Sequence, residues 1–299
     1  VAEAATCAAE LKIFQIEPNW LLPKNDRDFT PRERLLNRSP LVYEWRRRRL
    51  YVSYDLRQMR SGHARRDGRA NRRRRRASLE FLESSLASRP ELLELVTPRF
   101  PFEARRTVIS DTYYPTLCRP NVTLVPHAVK GLTASGVIDA NGDEHDFDAI
   151  VLATGFDAAN YLGSFTVTGM GGVELHEHWA GEPQALLGLM VPGFPNFFMM
   201  YGPNTNGIPL VAFYEAQARC AARAIRLLRV RGMRAVQVSR PLSALYNEWL
   251  QARLSRTVWG ETTSYFQSGS GRIISQWPFS ASSYILATRL LPRVALRYR

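Results

Sequence analysis

The chain has 299 residues, of which 45% are hydrophobic and 22% charged. This composition is typical of globular proteins with room for one large or two ordinary domains. Pro and Gly interrupt every apolar stretch before it reaches the length of a membrane span, and the first residues lack the pattern of a secretory signal. We therefore expect a cytoplasmic protein that does not cross a membrane.

The net charge of +13 is concentrated in one segment. Residues 45–76 contain 14 arginines and 2 aspartates, a net charge of +12, so the rest of the chain is nearly neutral. Such runs can bind a phosphate backbone, but no recognised nucleic-acid motif or stacking platform accompanies them. Trp45, Tyr51 and Tyr54 instead suit the packing face of a helix. The sequence favours a solvated helix or loop over a nucleic-acid-binding surface.

Metal-ligand spacing is absent from the sequence. The cysteines Cys7, Cys118 and Cys220 are far apart, and we expect them to be reduced thiols. His176 and His178 flank a glutamate, but no third ligand lies at a useful spacing. We therefore predict surface histidines and no metal site.

The first half of the chain is predicted to contain one strand followed by a long helical region. "LKIFQI" (11–16) has the pattern of a short buried strand, and Thr30-Pro31 is a helix start. Residues 32–95 are predicted to be helical but poorly ordered in the middle, where almost no apolar residue is available for burial. Strands are expected to return with "NVTLVP" (121–126).

A hairpin and two strand ends follow. Asn141-Gly142 lies between strand-like runs, which predicts a type I′ turn with positive φ at both central positions. The second arm is predicted to continue as a buried strand at 149–153, and "FPNFFMMY" (194–201) is predicted to be another strand. Two helices are expected after this strand. The first covers about residues 211–230 and is stopped by Gly232, and the second, the last helix of the chain, covers about residues 241–259 and follows Ser239.

The two predicted strand ends carry residues that suit a nucleotide. In open α/β sheets, ligands bind beyond the carboxyl ends of strands, where Thr154-Gly155 would let a backbone approach a flat ring. "YGPNTN" (201–206) precedes a helix, whose N-terminus carries partial positive charge and suits the pyrimidine edge of a flavin. Taken singly, each motif is equally typical of an ordinary buried strand end or a capped helix.

The ordered set of motifs resembles the flavin-containing monooxygenases and their Baeyer–Villiger relatives. The opening stretch "IFQIEPNWLLP" (13–23) is similar to the Baeyer–Villiger branch. The motifs that carry the resemblance are Arg105-Arg106, Tyr113-Tyr114, "RPNV" (119–122), "DAIVLATGF" (148–156) and "GPNTN" (202–206). The resemblance covers nearly the whole chain.

The resemblance implies an enzyme with two dinucleotides. FAD would accept hydride from NADPH, react with O2 to give a C4a-peroxyflavin, and transfer one oxygen atom to a ketone, amine or sulfide. By position in the motifs, Arg106 would stabilise the anionic intermediate, and Arg105 would contact the 2′-phosphate of NADPH. The remaining residues expected at the cofactors are Thr154, Gly155, Phe156, Asp157, Gly202, Asn204 and Asn206.

The fold class implied is α/β, a partial two-dinucleotide-binding-domain flavoprotein with a helical insertion. Four segments are expected in order along the chain. Residues 1–24 would end an NAD(P)-binding domain, 25–99 would be an arginine-rich helical insertion, 100–157 would return to the NAD(P)-binding domain, and 158–299 would be the C-terminal part of an FAD-binding domain.

Two departures from the family pattern leave alternatives open. The chain contains no G-x-G-x-x-G, the fingerprint that holds a pyrophosphate, so it resembles the C-terminal portion of a monooxygenase and is either part of a working enzyme or a catalytically incompetent remnant. Ile16-Glu17 replaces a motif arginine and adds an acid of the type that grips a ribose diol, so NADH is an alternative to NADPH. The motifs do not distinguish Baeyer–Villiger oxidation from amine or sulfide oxygenation.

Overall fold

The structure, a computed structural model, describes residues 1–61, 68–155, 157–207 and 210–299, with side chains in the first range as far as residue 56. Its helices are α1 Ala2–Cys7, α2 Pro31–Leu36, α3 Pro40–Ser61, α4 Arg69–Ser85, α5 Leu92–Val96, α6 Tyr113–Leu117, α7 Leu175–Trp179, α8 Leu210–Arg231, α9 Arg240–Leu254 and α10 Ala281–Ala295. Its strands are β1 Leu11–Phe14, β2 Leu21–Leu22, β3 Val108–Ile109, β4 Val122–Val125, β5 Val129–Leu132, β6 Gly136–Asp139, β7 Glu144–Asp146, β8 Val236–Val238 and β9 Leu296–Tyr298. The predicted α/β class is confirmed.

The chain divides into two compact units. The first unit contains Val1–Asp28 and Asn71–Phe156, and the second contains Phe29–Ala70 and Asp157–Arg299. The segment predicted as one insertion, residues 25–99, is thus divided between them near residue 70. The assignment of these parts to nicotinamide and flavin domains stays a prediction.

Parallel strand pairs organise the first unit. β1 pairs with β4 in parallel, with Leu11 opposite Val122 and Phe14 opposite Val125, and β2 pairs with β3 in parallel. Parallel strands place their carboxyl ends at the same edge. One buried cluster, contributed by helices and strands of this unit, packs beside them: Ala5, Leu21, Leu82, Leu86, Leu92, Val96, Tyr114, Leu117 and Val122.

The predicted hairpin forms, with a different turn. β6 pairs antiparallel with both β5 and β7. Gly142 has φ +94°, but Asn141 is not in the left-handed region, so the predicted type I′ turn is wrong. The Gly142 N–H donates to the Asp139 carbonyl, and the Asp139 carboxylate accepts from the N–H groups of Asn141 and Asp143. The aspartate side chain therefore stabilises a turn with one left-handed glycine at its end.

Residues 149–153 are not the buried strand that the sequence predicts. The run has no strand conformation, and Ile150, Val151 and Leu152 are 46%, 84% and 78% exposed. No strand among the described residues pairs with it, so its backbone N–H and C=O groups lack a ladder. An apolar run forms a stable strand only when neighbouring strands supply those partners.

Helices and a short sheet build the second unit. α2 begins at Thr30 with a reciprocal capping box to Glu33, as Thr30-Pro31 predicted. α8 forms as predicted and ends before Gly232, which has φ +61°. Phe213 of α8 stacks on Tyr284 of α10 at 4.3 Å between ring centroids. β8 and β9 pair antiparallel beside these helices.

Two further predictions in this unit are wrong. Residues 194–201 form turns and irregular backbone held by hydrogen bonds such as Met199 N–H to the Leu189 carbonyl, not by a strand ladder. α9, predicted as the last helix, is followed by α10. Helix propensity in α10 is lowered by Ser282, Ser283, Ile285 and Thr288 in its first half and by Pro292 near its end, which weakened its helical signal.

Candidate functional site

The predicted site residues lie in both units, and each set is described within its own unit. Arg105, Arg106, Thr154 and Gly155 lie in the first unit, whereas the remaining described ones, Asp157, Gly202, Asn204 and Asn206, lie in the second. Phe156 lies outside the described residues.

Arg105 lies against the segment that follows β1. Its Nη1 is 2.5 Å from Oε2 of Glu17, and its guanidinium carbon lies 4.8 Å from the ring centroid of Phe100. The Phe100 backbone is itself held, because the buried Trp20 indole N–H donates to its carbonyl at 2.9 Å. Arg105 therefore combines an ion pair with a cation–π contact on a fixed aromatic surface.

Arg106 differs from its neighbour in its surroundings. Its side chain is exposed, and it forms no ion pair with any described residue. A guanidinium keeps its charge at every physiological pH and can donate to an anion that approaches from solvent. The two arginines of the motif thus have different environments, one paired and one open.

The two tyrosines of the motif, Tyr113 and Tyr114, make contacts that stabilise the first unit. Tyr113 O–H donates to Oε1 of Gln15, just after β1, at 2.7 Å. Tyr114 is buried in the cluster of the first unit, and burial raises the pKa of its hydroxyl, with a smaller contribution from Tyr113. This pair joins α6 to the carboxyl end of β1, the edge where Glu17 and Arg105 meet.

Thr154 and Gly155 are exposed. Gly155 has φ +94°, which explains a glycine at this position because side chains disfavour that backbone region. A Cβ built on Gly155 has no heavy atom within 4 Å. The close backbone approach that the sequence predicted at Gly155 is therefore not made by any described residue of the chain.

Gly202 makes a close approach inside the second unit. A Cβ built there would lie 2.4 Å from the Gly188 carbonyl oxygen, which accepts the Gly202 N–H at 3.2 Å. Gly188 itself has φ +60°, and a Cβ on it would lie 2.2 Å from Cγ2 of Thr205. Both glycines are required by the packing of the "GPNTN" loop on the segment around Gly188.

Asn204 is buried, with 1% of its surface exposed. Its Nδ2 donates to the carbonyls of Ile273 and Gln276, at 2.8 and 3.3 Å. Its Oδ1 is buried and has no hydrogen-bond partner among the described residues. The side-chain donors of Asn204, a residue that the sequence predicted at the flavin, are thus used within the unit.

Asn206 and Asp157 complete the second set. Asn206 Oδ1 accepts from Tyr201 O–H at 2.9 Å, and its backbone bonds to Ser275 and Trp277. Asp157 is exposed. α8 begins at Leu210, in agreement with the helix predicted from about residue 211, and residues 208 and 209 between the loop and α8 lie outside the described residues.

Gln217 was missed in the sequence. It is fully buried on α8, its Oε1 accepts the Tyr201 N–H at 2.9 Å, and its Nε2 points to the carbonyls of Leu187 and Gly188 at 3.4 Å. The signal was a polar residue beside the apolar face formed by Phe213, Ala216 and Cys220. A buried amide needs partners, so it fixes the loop before α8.

No group of three or more metal-ligating side chains occurs in the described parts of the chain. The ring of His176 contacts the ring of Trp179, and the ring of His178 contacts the ring of Phe194.

None of the described helices is long and apolar enough to span a membrane.

Several arginines of the basic segment are paired on helix surfaces. Arg47 and Arg48 contact Glu44 on α3, and Arg76 contacts Glu80 one turn along α4. Arg47 also reaches Glu215 of α8 in the same unit. These contacts support the helix-surface interpretation over nucleic-acid binding.

Comparisons with known proteins identify relatives of this chain. No protein-family model matches. The chain is 33% identical over 306 residues to a Baeyer–Villiger monooxygenase of Pseudomonas aeruginosa, covering 96% of this chain and 57% of the relative. It is 32% identical over 293 residues to the FAD-binding monooxygenase ktnD of Aspergillus niger, covering 95% and 48%.

A solved structure agrees with these relatives. A steroid monooxygenase bound to NADP superposes with a TM-score of 0.82 at 25% identity, covering 99% of this chain and 64% of that one. The chain spans about half the length of the curated relatives it matches. The ordered motifs, the α/β fold and these similarities together show that the chain is related, over nearly its whole length, to part of the flavoprotein monooxygenases of the Baeyer–Villiger branch.

Proposed function

We propose that the chain acts in an FAD- and NAD(P)H-dependent monooxygenase that inserts one oxygen atom from O2 into a ketone. The observation that supports this most strongly is the 33% identity to a Baeyer–Villiger monooxygenase across 96% of the chain. Amine or sulfide oxygenation is the alternative, in which the oxygen atom would be transferred to a nitrogen or sulfur lone pair instead of being inserted beside a carbonyl carbon. The bound flavin would supply oxygen activation, and the chain would supply binding and charge.

The first unit would hold the nicotinamide dinucleotide. Its residues fit such a ligand, because Glu17 and Arg105 meet beyond the carboxyl end of β1, where α/β sheets bind nucleotides. Arg106, exposed and without an ion pair to a described residue, would face the reacting centre and stabilise negative charge there. A fixed guanidinium in a water-poor site typically contributes about 3 kcal/mol to an anionic state.

The flavin-facing residues would be Thr154, Gly155, Phe156, Asp157, Gly202, Asn204 and Asn206. Asn204 fits this role only through its buried Oδ1, which has no partner among the described residues and could accept from a ring N–H. Exposed backbone at Gly155 would allow a flat ring to approach.

A catalytically incompetent chain is the second candidate. The apolar residues 150–152 are exposed and form no strand whose end could bind a flavin. The Nδ2 group of Asn204 already donates to backbone carbonyls. The chain by itself therefore presents few groups that could hold a flavin. This candidate predicts that the purified chain stays colourless in the presence of FAD.

The test is to purify the 299-residue chain with added FAD and record the flavin spectrum. A bound flavin that supports NAD(P)H oxidation and converts a cyclic ketone into a lactone supports the proposal. Arg106→Ala should then lower kcat by a factor of about 100 or more, whereas Arg99→Ala, an exposed arginine in the same unit, should leave it unchanged. If no flavin is bound, the proposal fails for this polypeptide and the second candidate, a chain without catalytic activity of its own, is supported.

A further inference from the structure

The contact between Glu17 and Arg105 joins two segments that are far apart in sequence. Glu17 follows β1 by three residues, and Arg105 precedes β3 by three residues. Their side chains are 38% and 29% exposed, so the pair is accessible to a ligand but partly shielded from water. A pair in this setting is screened less than one on an open surface.

We propose that Glu17 determines the choice of nicotinamide cofactor and makes the chain bind the dinucleotide without a 2′-phosphate, NAD(H), in preference to NADP(H). This inference rests on the proposed function, which places the dinucleotide at the carboxyl end of β1. The relative bound to NADP shows that the fold accepts the 2′-phosphate. This chain differs from that relative in its preference for the dinucleotide without the 2′-phosphate.

The ion pair with Glu17 limits the availability of the Arg105 guanidinium to a phosphate. A 2′-phosphate is best bound by a guanidinium that offers two parallel N–H groups. Nη1 of Arg105 is already 2.5 Å from the Glu17 carboxylate, and the guanidinium carbon lies 4.8 Å from the centroid of the Phe100 ring. A phosphate at Arg105 would have to share the guanidinium with Glu17.

The negative charge of Glu17 distinguishes a 2′-phosphate from a free ribose. A 2′-phosphate adjacent to Glu17 would place like charges within a few ångströms of each other, which disfavours binding. A ribose with free hydroxyls is favoured instead, because a carboxylate beyond the carboxyl end of the strand, such as that of Glu17, accepts hydrogen bonds from the ribose diol. Glu17 thus opposes one dinucleotide and favours the other with the same oxygen atoms.

Ile16, the residue next to Glu17, offers no side-chain group that could bind a phosphate. Ile16 is 78% exposed, and its side chain carries no hydrogen-bond donor. An exposed isoleucine at the end of a strand contributes nothing to phosphate recognition. The segment Ile16-Glu17 therefore supplies an acceptor and no cation to a ligand at this edge.

The experiment measures the dissociation constants of NAD⁺ and NADP⁺ for the 299-residue chain by isothermal titration calorimetry. The unaltered chain should bind NAD⁺ at least about tenfold more tightly than NADP⁺, and Glu17→Gln should shift that ratio toward NADP⁺ by about tenfold, the effect of one charge-assisted contact. Glu10→Gln is the matched control, because Glu10 lies just before β1 and pairs with Lys12 at 3.6 Å. It should leave the ratio unchanged.

Ile16→Arg provides a second, independent variant. An added guanidinium at this exposed position should strengthen NADP⁺ binding by about fivefold or more without weakening NAD⁺. Circular dichroism checks that each variant is folded. Tighter binding of NADP⁺ by the unaltered chain, or a ratio that Glu17→Gln leaves within twofold, overturns this inference alone. Failure of both dinucleotides to bind overturns the proposed nicotinamide site and this inference with it.

Discussion

Replacing Asn204 by alanine tests whether this residue holds the second unit together or only faces a cofactor. The substitution removes the Nδ2 donors to the Ile273 and Gln276 carbonyls, at 2.8 and 3.3 Å. Each hydrogen bond contributes on the order of 1 kcal/mol, the longer one less. Asn204 also has φ +59°, where alanine is disfavoured by about 1 kcal/mol relative to asparagine. The free energy of unfolding should fall by about 2–3 kcal/mol.

The assay is urea unfolding of the flavin-free chain, followed by tryptophan fluorescence. With a slope of about 2–3 kcal/mol per molar, the midpoint should fall by roughly 1 M. Asn160→Ala is the control, since Asn160 is exposed in the same unit and should change the free energy of unfolding by no more than about 0.5 kcal/mol. If Asn204→Ala unfolds at the same urea concentration as the control and only its FAD affinity falls, the interior role of Asn204 is refuted.

Two further predictions concern packing and thiol reactivity in the folded chain. Gly188→Ala should destabilise the second unit by about 3 kcal/mol or more, because the added Cβ would overlap Thr205 at a left-handed φ; a thermal melt close to that of the unaltered protein would contradict this. Burial, opposed by a nearby arginine, raises the pKa of the Cys220 thiol to about 11, whereas Cys7 is exposed. An aromatic disulfide reagent at pH 8 should therefore label Cys7 promptly and Cys220 only after denaturation, and rapid labelling of Cys220 in a Cys7→Ser variant would show that its site opens.

Local signals in the sequence predicted those elements whose stabilising contacts are themselves local. The capping box at Thr30 and the left-handed stop at Gly232 each satisfy backbone groups within a few residues. The apolar spacing of α8 likewise predicted its buried face, since 3.6-residue periodicity is a property of the segment alone.

The two misassigned strands show where local pattern reasoning stops. Residues 149–153 and 194–201 have strand-like composition, yet neither has a ladder partner among the described residues. Hydrophobic side chains predict that a segment is buried. Whether the segment is a strand depends on a neighbouring strand that supplies partners for its backbone N–H and C=O groups. The turn at Asn141-Gly142 is a smaller case, because the Asp139 carboxylate, two residues earlier, altered the turn type.

The candidate site could be predicted only as a set of residues along the chain. The sequence identified Glu17 as an acid of the wrong charge for a phosphate and Arg105 as a phosphate contact, but 88 positions separate them. Their contact depends on how β1 and the segment before β3 are brought together. Gln217 was missed for the same reason, since its partners lie in loops far from it in sequence.

The order of the motifs in the sequence indicated the relatives of this chain, and the caps and the helical periodicity predicted where α2 starts and where α8 and α9 lie, because such features are recorded in adjacent residues. Only the tertiary structure decided that the Arg105 guanidinium meets a carboxylate and that the Asn204 amide points into its own unit. Side-chain pairing between distant segments is set by the packing of whole elements, and packing is a property of the folded chain rather than of any one stretch.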